Sequence, residues 1–167
     1  MAIDDTRYMD TITGLYDLMQ LDANLMIGGT YGIKAISKAE PLVEKLFPVI
    51  QIFVIGDKTN DIGEADFELG GALGNIYHRI MEVKILVYQH WPYGAEFEYF
   101  TGKTLPTGYM YGIYQIAAYV KGFVTQQYNI NGEVFHFKWD DTSFVSGEIS
   151  LLPHAEISAN AFYNERL

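Results

Sequence analysis

Residues 77–91 read Tyr-His-Arg-Ile-Met-Glu-Val-Lys-Ile-Leu-Val-Tyr-Gln-His-Trp. Met81, Val83, Ile85 and Val87 fall on one side of an extended chain, and His78, Glu82, Lys84 and Tyr88 on the other. That period of two predicts a long antiparallel strand with one face on an apolar core. Upstream, Phe47–Ile55 is β-branched and aromatic, follows a short helix-like piece at Pro41–Leu46, and stops at Gly56-Asp57, which predicts a second strand. Downstream, Asn131-Gly132 turns the chain into Phe135, Phe137 and Trp139 on one face, with Val134, His136 and Lys138 opposite. Asp140-Asp141 then predicts a turn back towards Phe144 and Val145. Ala155, Ile157, Ala159 and Ala161 alternate as a terminal strand, and Tyr31, Ile33 and Ala35 as a short one after Gly28-Gly29.

Two helices frame these strands. Residues 4–21 place Tyr8, Ile12, Leu15 and Met19 in one apolar stripe, with Asp4 and Asp5 suited to the N-cap and Asp10 and Asp17 on the outer side. Residues 108–127 repeat the pattern with Met110, Ile113, Ala117, Val120 and Val124, although Gly112 and Gly122 each weaken a helix by about 1 kcal/mol. Helices and strands do not alternate as βαβ units. The expected fold class is therefore α+β: a mostly antiparallel β-sheet with two main α-helices packed on one face, in a single domain spanning 1–167. Two stretches fit neither pattern. Residues 57–76 form a long, acidic, glycine-containing loop, and loops of that length are usually functional. Residues 92–108 form an aromatic loop.

Composition limits the chemistry. The chain has 167 residues, no cysteine, and 21 acidic against 11 basic side chains, for a net charge of −10. Without cysteine there are no disulfides, thiolate metal sites or cysteine nucleophiles. A strongly acidic chain does not grip a nucleic-acid backbone or an anionic membrane. No basic-then-apolar leader and no membrane-length apolar run is visible, so a soluble protein without an export signal is expected. The charge is uneven: residues 1–25 carry −4 and residues 57–68 carry another −4, which predicts two acidic surfaces on a nearly neutral body.

No catalytic arrangement stands out. Glu96 and Glu98 would share a face if extended, beside Phe97 and Phe100, as a glycosidase requires; a solvated polar face in an aromatic loop is the much more ordinary account of such a pair. His78, His90, His136 and His154 lack metal-ligand spacing, and the acidic loop lacks the pattern of a calcium loop. No nucleophile elbow or phosphate-binding glycine motif occurs. No cofactor, metal or enzyme activity is expected. What remains is surface. Seven of the thirteen tyrosines lie between Tyr88 and Tyr119, and Tyr109, Tyr111, Tyr114 and Tyr119 crowd the second helix beyond what one face can bury. Tyrosine suits interfaces because its ring buries area while its hydroxyl still finds a partner. An amply covered core accounts for the same residues equally well.

The element order is an N-terminal helix, the proline-led strand Phe47–Ile55, a long Gly/acidic excursion, the strand His78–Tyr88, the helix 108–127 and the strand Glu133–Asp140. It resembles the tail terminator, or tail-to-head joining, proteins of long-tailed bacteriophages and related tailed viruses. The resemblance implies a structural virion protein of the tail or neck, assembled in the host cytoplasm. Such a protein forms a homo-oligomeric ring, typically a hexamer, that caps the tail tube and joins it to a neck or head-completion protein. It implies pairing of sheets around the ring, and DNA passing through the lumen without specific binding. By position, the loop that would reach a neighbour is 57–76, so Asp57, Asp61, Glu64, Asp66, Phe67 and Glu68 join Tyr109, Tyr111, Tyr114 and Tyr119 as candidate assembly residues. Another neck or tail-completion protein, or the tube subunit itself, is the nearest alternative. A glycan-binding or glycan-cleaving domain using 92–108 is the alternative of a different class.

Overall fold

The computed structural model describes residues 6–38, 46–59, 67–68, 75–130, 134–147 and 152–166. Helix α1 (Thr6–Leu21) precedes strands β1 (Ala35–Lys38), β2 (Val49–Thr59), β3 (Phe67–Glu68) and β4 (Asn75–Tyr88). Then come α2 (Glu96–Thr101), β5 (Lys103–Leu105), β6 (Gly108–Met110) and α3 (Ile113–Thr125). Strands β7 (Tyr128–Ile130), β8 (Val134–Val145) and β9 (His154–Arg166) complete the described order.

Among the described residues, seven strands form one sheet in the order β1-β2-β4-β9-β8-β7, with β3 beside β4, and β5–β6 form a separate hairpin. The α+β expectation, a mostly antiparallel sheet carrying two main helices on one face, is overturned. Among the described residues the chain is mostly β, its sheet is mixed, and three helices are present. The cause is local. Residues 22–34 fold the chain back after α1, and Lys34 N–H donates to Pro48 O at 2.9 Å. That bond sets β1 alongside β2 in parallel, Ala35 opposite Val49 and Lys38 opposite Ile52. The connection between them has no periodic signal, and most of the helix-like Pro41–Leu46 piece lies outside the described residues.

β4 is central. Its ladder to β9 runs unbroken from Ile76–Arg166 to Tyr88–His154, and on its other side it pairs with β2 from Tyr88–Val49 to Arg79–Thr59. Met81, Val83, Ile85 and Val87 are wholly buried. They pack with Ile12, Leu15 and Met19 of α1 and Ile113, Ile116, Val120 and Val124 of α3 in one core. Opposite them, β9 presents Ala155, Ile157, Ala159 and Ala161; the small alanines let α3 lie close over β9.

Three local expectations need correction. The second helix begins at Ile113, not near 108, because 103–110 are taken by the β5–β6 hairpin. Gly112 is its N-cap, pressed so close to Phe100 and Gly102 that a Cβ there would lie 2.3 Å from the Gly102 nitrogen. Gln115 Oε1 accepts the Gly112 N–H at 2.6 Å, so the side chain replaces the missing first-turn bond. The Asp140-Asp141 turn does not occur: β8 continues through it, with a register shift between Trp139 and Asp141 that absorbs the extra residue as a bulge. Part of the 92–108 loop is helical, as α2. Asp4, Asp5 and the Asn131-Gly132 turn lie outside the described residues.

Ile85 sits between Ile52 and Ile157 with no exposure. Ile85→Ala should lower unfolding free energy by about 2–5 kcal/mol, whereas Ile55→Ala, 55% exposed, should stay within about 0.5 kcal/mol. Urea titrations compare the two; equal losses would contradict this packing.

Candidate functional site

The edges of the sheet are its least completed part. β1 covers β2 only from Val49 to Ile52. Beyond Ile52, the outer edge of β2 has no strand partner among the described residues. At the far side, β7 pairs with β8 only at Val134 and His136, so the edge from Phe137 to Val145 is likewise unpaired among the described residues. Unpaired strand edges present rows of backbone donors and acceptors to any extended chain.

Each edge adjoins an apolar cleft. Between α1 and β2 runs a groove of about 430 Å³ lined by Tyr8, Met9, Ile12, Val54, Ile55, Gly56 and Asp57. Met9, Ile55 and Tyr8 are exposed there. A register shift between Val54 and Gly56 turns Ile55 outward. Between α3 and β8, Tyr114, Ala117, Ala118, Lys121, Thr142 and Phe144 line a cleft of about 230 Å³. Tyr114 and Phe144 meet edge to face at 4.8 Å, and the Lys121 ammonium lies 3.6 Å over the Trp139 ring.

Asp57 closes one end of the first groove, and its carboxylate points inward. Oδ2 accepts hydrogen bonds from Tyr163 at 2.6 Å, Tyr8 at 2.8 Å and Arg79 Nη2 at 3.2 Å. Oδ1 is buried and accepts none. The Arg7 guanidinium lies 5.0 Å from the centre of the Tyr163 ring. One carboxylate thus joins α1, β2, β4 and β9. Burial alone would raise the Asp57 pKa, but the bonds from Tyr163, Arg79 and Tyr8 outweigh it and hold the carboxyl below its usual value. The same contact, with Asp57 as the principal cause, pushes the Arg79 pKa up.

The structure divides the expected assembly residues. Asp57 is an internal tie. Asp61, Glu64 and Asp66 lie outside the described residues, and Phe67 and Glu68 form β3 against Ile76 and Asn75 of β4. Tyr109 and Tyr114 are exposed; Tyr109 belongs to β6 and donates its hydroxyl proton to Thr101 O at 3.0 Å. Tyr111 packs edge-on against Tyr31 at 4.8 Å. Tyr119 donates to Asp22 Oδ2 at 2.9 Å and accepts from Asn24 at 2.7 Å. Tyr111, just before α3, and Tyr119, within it, therefore tie the 22–34 segment inward.

Sequence reasoning passed over Arg79 and Tyr163 and read Tyr8 only as part of the apolar stripe of the first helix, yet one signal was present. Arg79 continues the apolar series Val87, Ile85, Val83, Met81 on the same face of β4, and a cation on a core face requires a carboxylate partner. The paired acids of the aromatic loop are also engaged. Glu96 Oε1 accepts the Gly147 N–H at 2.9 Å, and Glu98 lies 3.1 Å from Lys103 Nζ. No family model matches the chain, and no curated protein matches it in sequence.

A carboxyl held below its usual pKa stabilises the fold fully above its unfolded value, 3.8, and loses that contribution as pH falls through the folded value. Asp57→Asn should therefore be less stable than the parent at pH 7, with the gap narrowing below about pH 4. Asp57→Ala should cost about 1–3 kcal/mol at neutral pH, because three donors lose their acceptor. Chemical denaturation from pH 7 to pH 3 measures both; a gap that widens in acid would reverse the assignment.

Proposed function

We propose that this chain is a structural subunit that assembles edge to edge into a closed ring, serving as a tail terminator that caps a virus tail tube and joins it to the neck. One observation carries the reading. Among the described residues, no strand covers β2 beyond Ile52 or β8 beyond His136; these two edges lie towards opposite ends of the strand order of a single sheet, each beside an apolar cleft. Two different edges that pair with each other make a heterologous contact, which closes into a ring when the rotation per subunit permits and grows without limit otherwise. Joining edges in this way also removes the aggregation liability of each.

The role is structural: the fold supplies surfaces to a second copy, a tube protein and a neck protein. The net charge of −10 suits a conduit, since acidic walls repel DNA that must slide past without sticking. A tube subunit would share the edge-to-edge logic but form open fibres, which separates it from a terminator.

Native mass spectrometry and light scattering should show a closed oligomer of defined mass, with negative-stain images of rings. Adding purified tail tube protein should place that ring at tube ends and arrest tube growth. A chain that stays monomeric and leaves tube length unchanged would defeat the proposal.

A further inference from the structure

We propose that Tyr93, together with Phe97 of α2, is a knob that inserts into the α1–β2 groove of a second copy of this chain. The inference deepens the ring reading and rests on it for closure, but the contact itself is separable from it.

The knob begins with a turn that its own chain does not explain. Gly94 N–H donates to Trp91 O at 3.3 Å, which closes a turn with Pro92 and Tyr93 at the centre. Tyr93 occupies the second central position with φ 63°, a conformation that turns of this kind normally give to glycine and that L side chains disfavour. Tyr93 is nevertheless fully exposed, so no contact with the described residues offsets the strain. Phe97, in the first turn of α2, is 75% exposed. The base of the turn is held firmly. Tyr99 donates its hydroxyl proton to Trp91 O at 2.8 Å and to Gly94 O at 3.0 Å, and a Cβ on Gly94 would strike the Trp91 and Tyr99 rings. Two aromatic rings are thus presented outward on a rigid mount, the arrangement that dominates binding energy at protein interfaces.

The groove between Tyr8, Met9, Ile12, Val54 and Ile55 has the complementary character: apolar, open, and at about 430 Å³ large enough for an aromatic side chain. Met9 can adapt its shape to a ring. The knob and the groove of one molecule lie towards opposite ends of the β2–β4 ladder. The knob follows Tyr88, which pairs with Val49, while the groove flanks Val54–Asp57, opposite Val83–Met81. A molecule therefore presents both halves of the contact, and the matching half belongs to a neighbour.

Area decides how the contact is used. Two aromatic side chains bury roughly 150–250 Å² each, short of the roughly 800 Å² per partner of a stable interface. The knob does not hold a pair together unaided. It adds to contacts along the edge of β2 beyond Ile52, which no described strand covers and whose residues Val54–Asp57 line the groove, and sets the register of the incoming subunit there.

The test uses two variants of the full chain. Tyr93→Gly/Phe97→Ala removes the knob and keeps the groove; Met9→Glu/Ile55→Glu closes the groove at two exposed positions and keeps the knob. Circular dichroism and thermal unfolding check that each folds, and at a concentration where the parent is monomeric Tyr93→Gly alone should raise the thermal midpoint, by about 2–4 °C, because it relieves the turn. In native mass spectrometry each variant alone should lose the parent oligomer, with self-association weakened at least tenfold. Their equimolar mixture should recover one-to-one heterodimers and nothing larger, since only one intact knob–groove pair remains. Unchanged oligomeric mass in the knob variant, or no heterodimer on mixing, would overturn the inference while leaving the ring reading intact. Knob-dependent open chains in the parent would sustain the inference and remove the ring. A parent that is monomeric at all concentrations would overturn both.

Discussion

β4 is held on both sides at once, and the rest of the molecule depends on that constraint. Its ladder to β9 is unbroken over its whole length apart from Asn75, and its ladder to β2 breaks only at the Val54/Gly56 bulge. With both edges occupied, register is over-determined: a slip of one residue would turn Met81, Val83, Ile85 and Val87 out of the core and Glu82 and Lys84 into it. Helices α1 and α3 then have a fixed apolar surface to cover. The polar face uses the same register, since it brings Lys84 to 2.9 Å from Glu156 on β9 and Lys58 to 2.8 Å from Glu82.

The Asp57 tie solves a problem that this register creates. Arg79 and Tyr163 are cross-strand partners on the core face near the end of the sheet, where a cation would otherwise be desolvated without a counter-charge. Asp57 supplies it from β2, and Tyr8 closes the junction from α1. The tie lies at the mouth of the groove, beside exposed Ile55 and Met9, so the backbone that lines the groove is anchored while its surface is left open. Firm anchoring below and apolar exposure above also describe the Tyr93 turn at the other end of the ladder.

Long period-two runs were legible because alternation is a local property: the segments that form β4, β2 and β9 announce themselves in composition and spacing. The candidate site was legible only in part. The excess of tyrosine marked a region, but spacing did not tell Tyr109 and Tyr114, which face solvent, from Tyr111 and Tyr119, which tie the 22–34 segment inward. Asp57 entered as one acid of a charged loop, and its role depends on Tyr8 and Tyr163, far from it in the chain. The Asp140-Asp141 pair reads as a turn by residue type, yet the pairing of β8 with β9 on both sides of it converts it to a bulge.

The sequence by itself determined that the chain buries a large aliphatic core, that it carries concentrated negative charge, and that thiol chemistry is absent. Those follow from counts and periods. Only the tertiary structure decided that the sheet is mixed, that Asp57 is an internal tie, and which strand edges and clefts stay open. Each of these depends on which distant segments meet. A parallel strand is brought in by a connection with no periodicity, a partly buried ion pair needs partners on separate strands, and an edge is uncovered only because no other strand of the described fold reaches it.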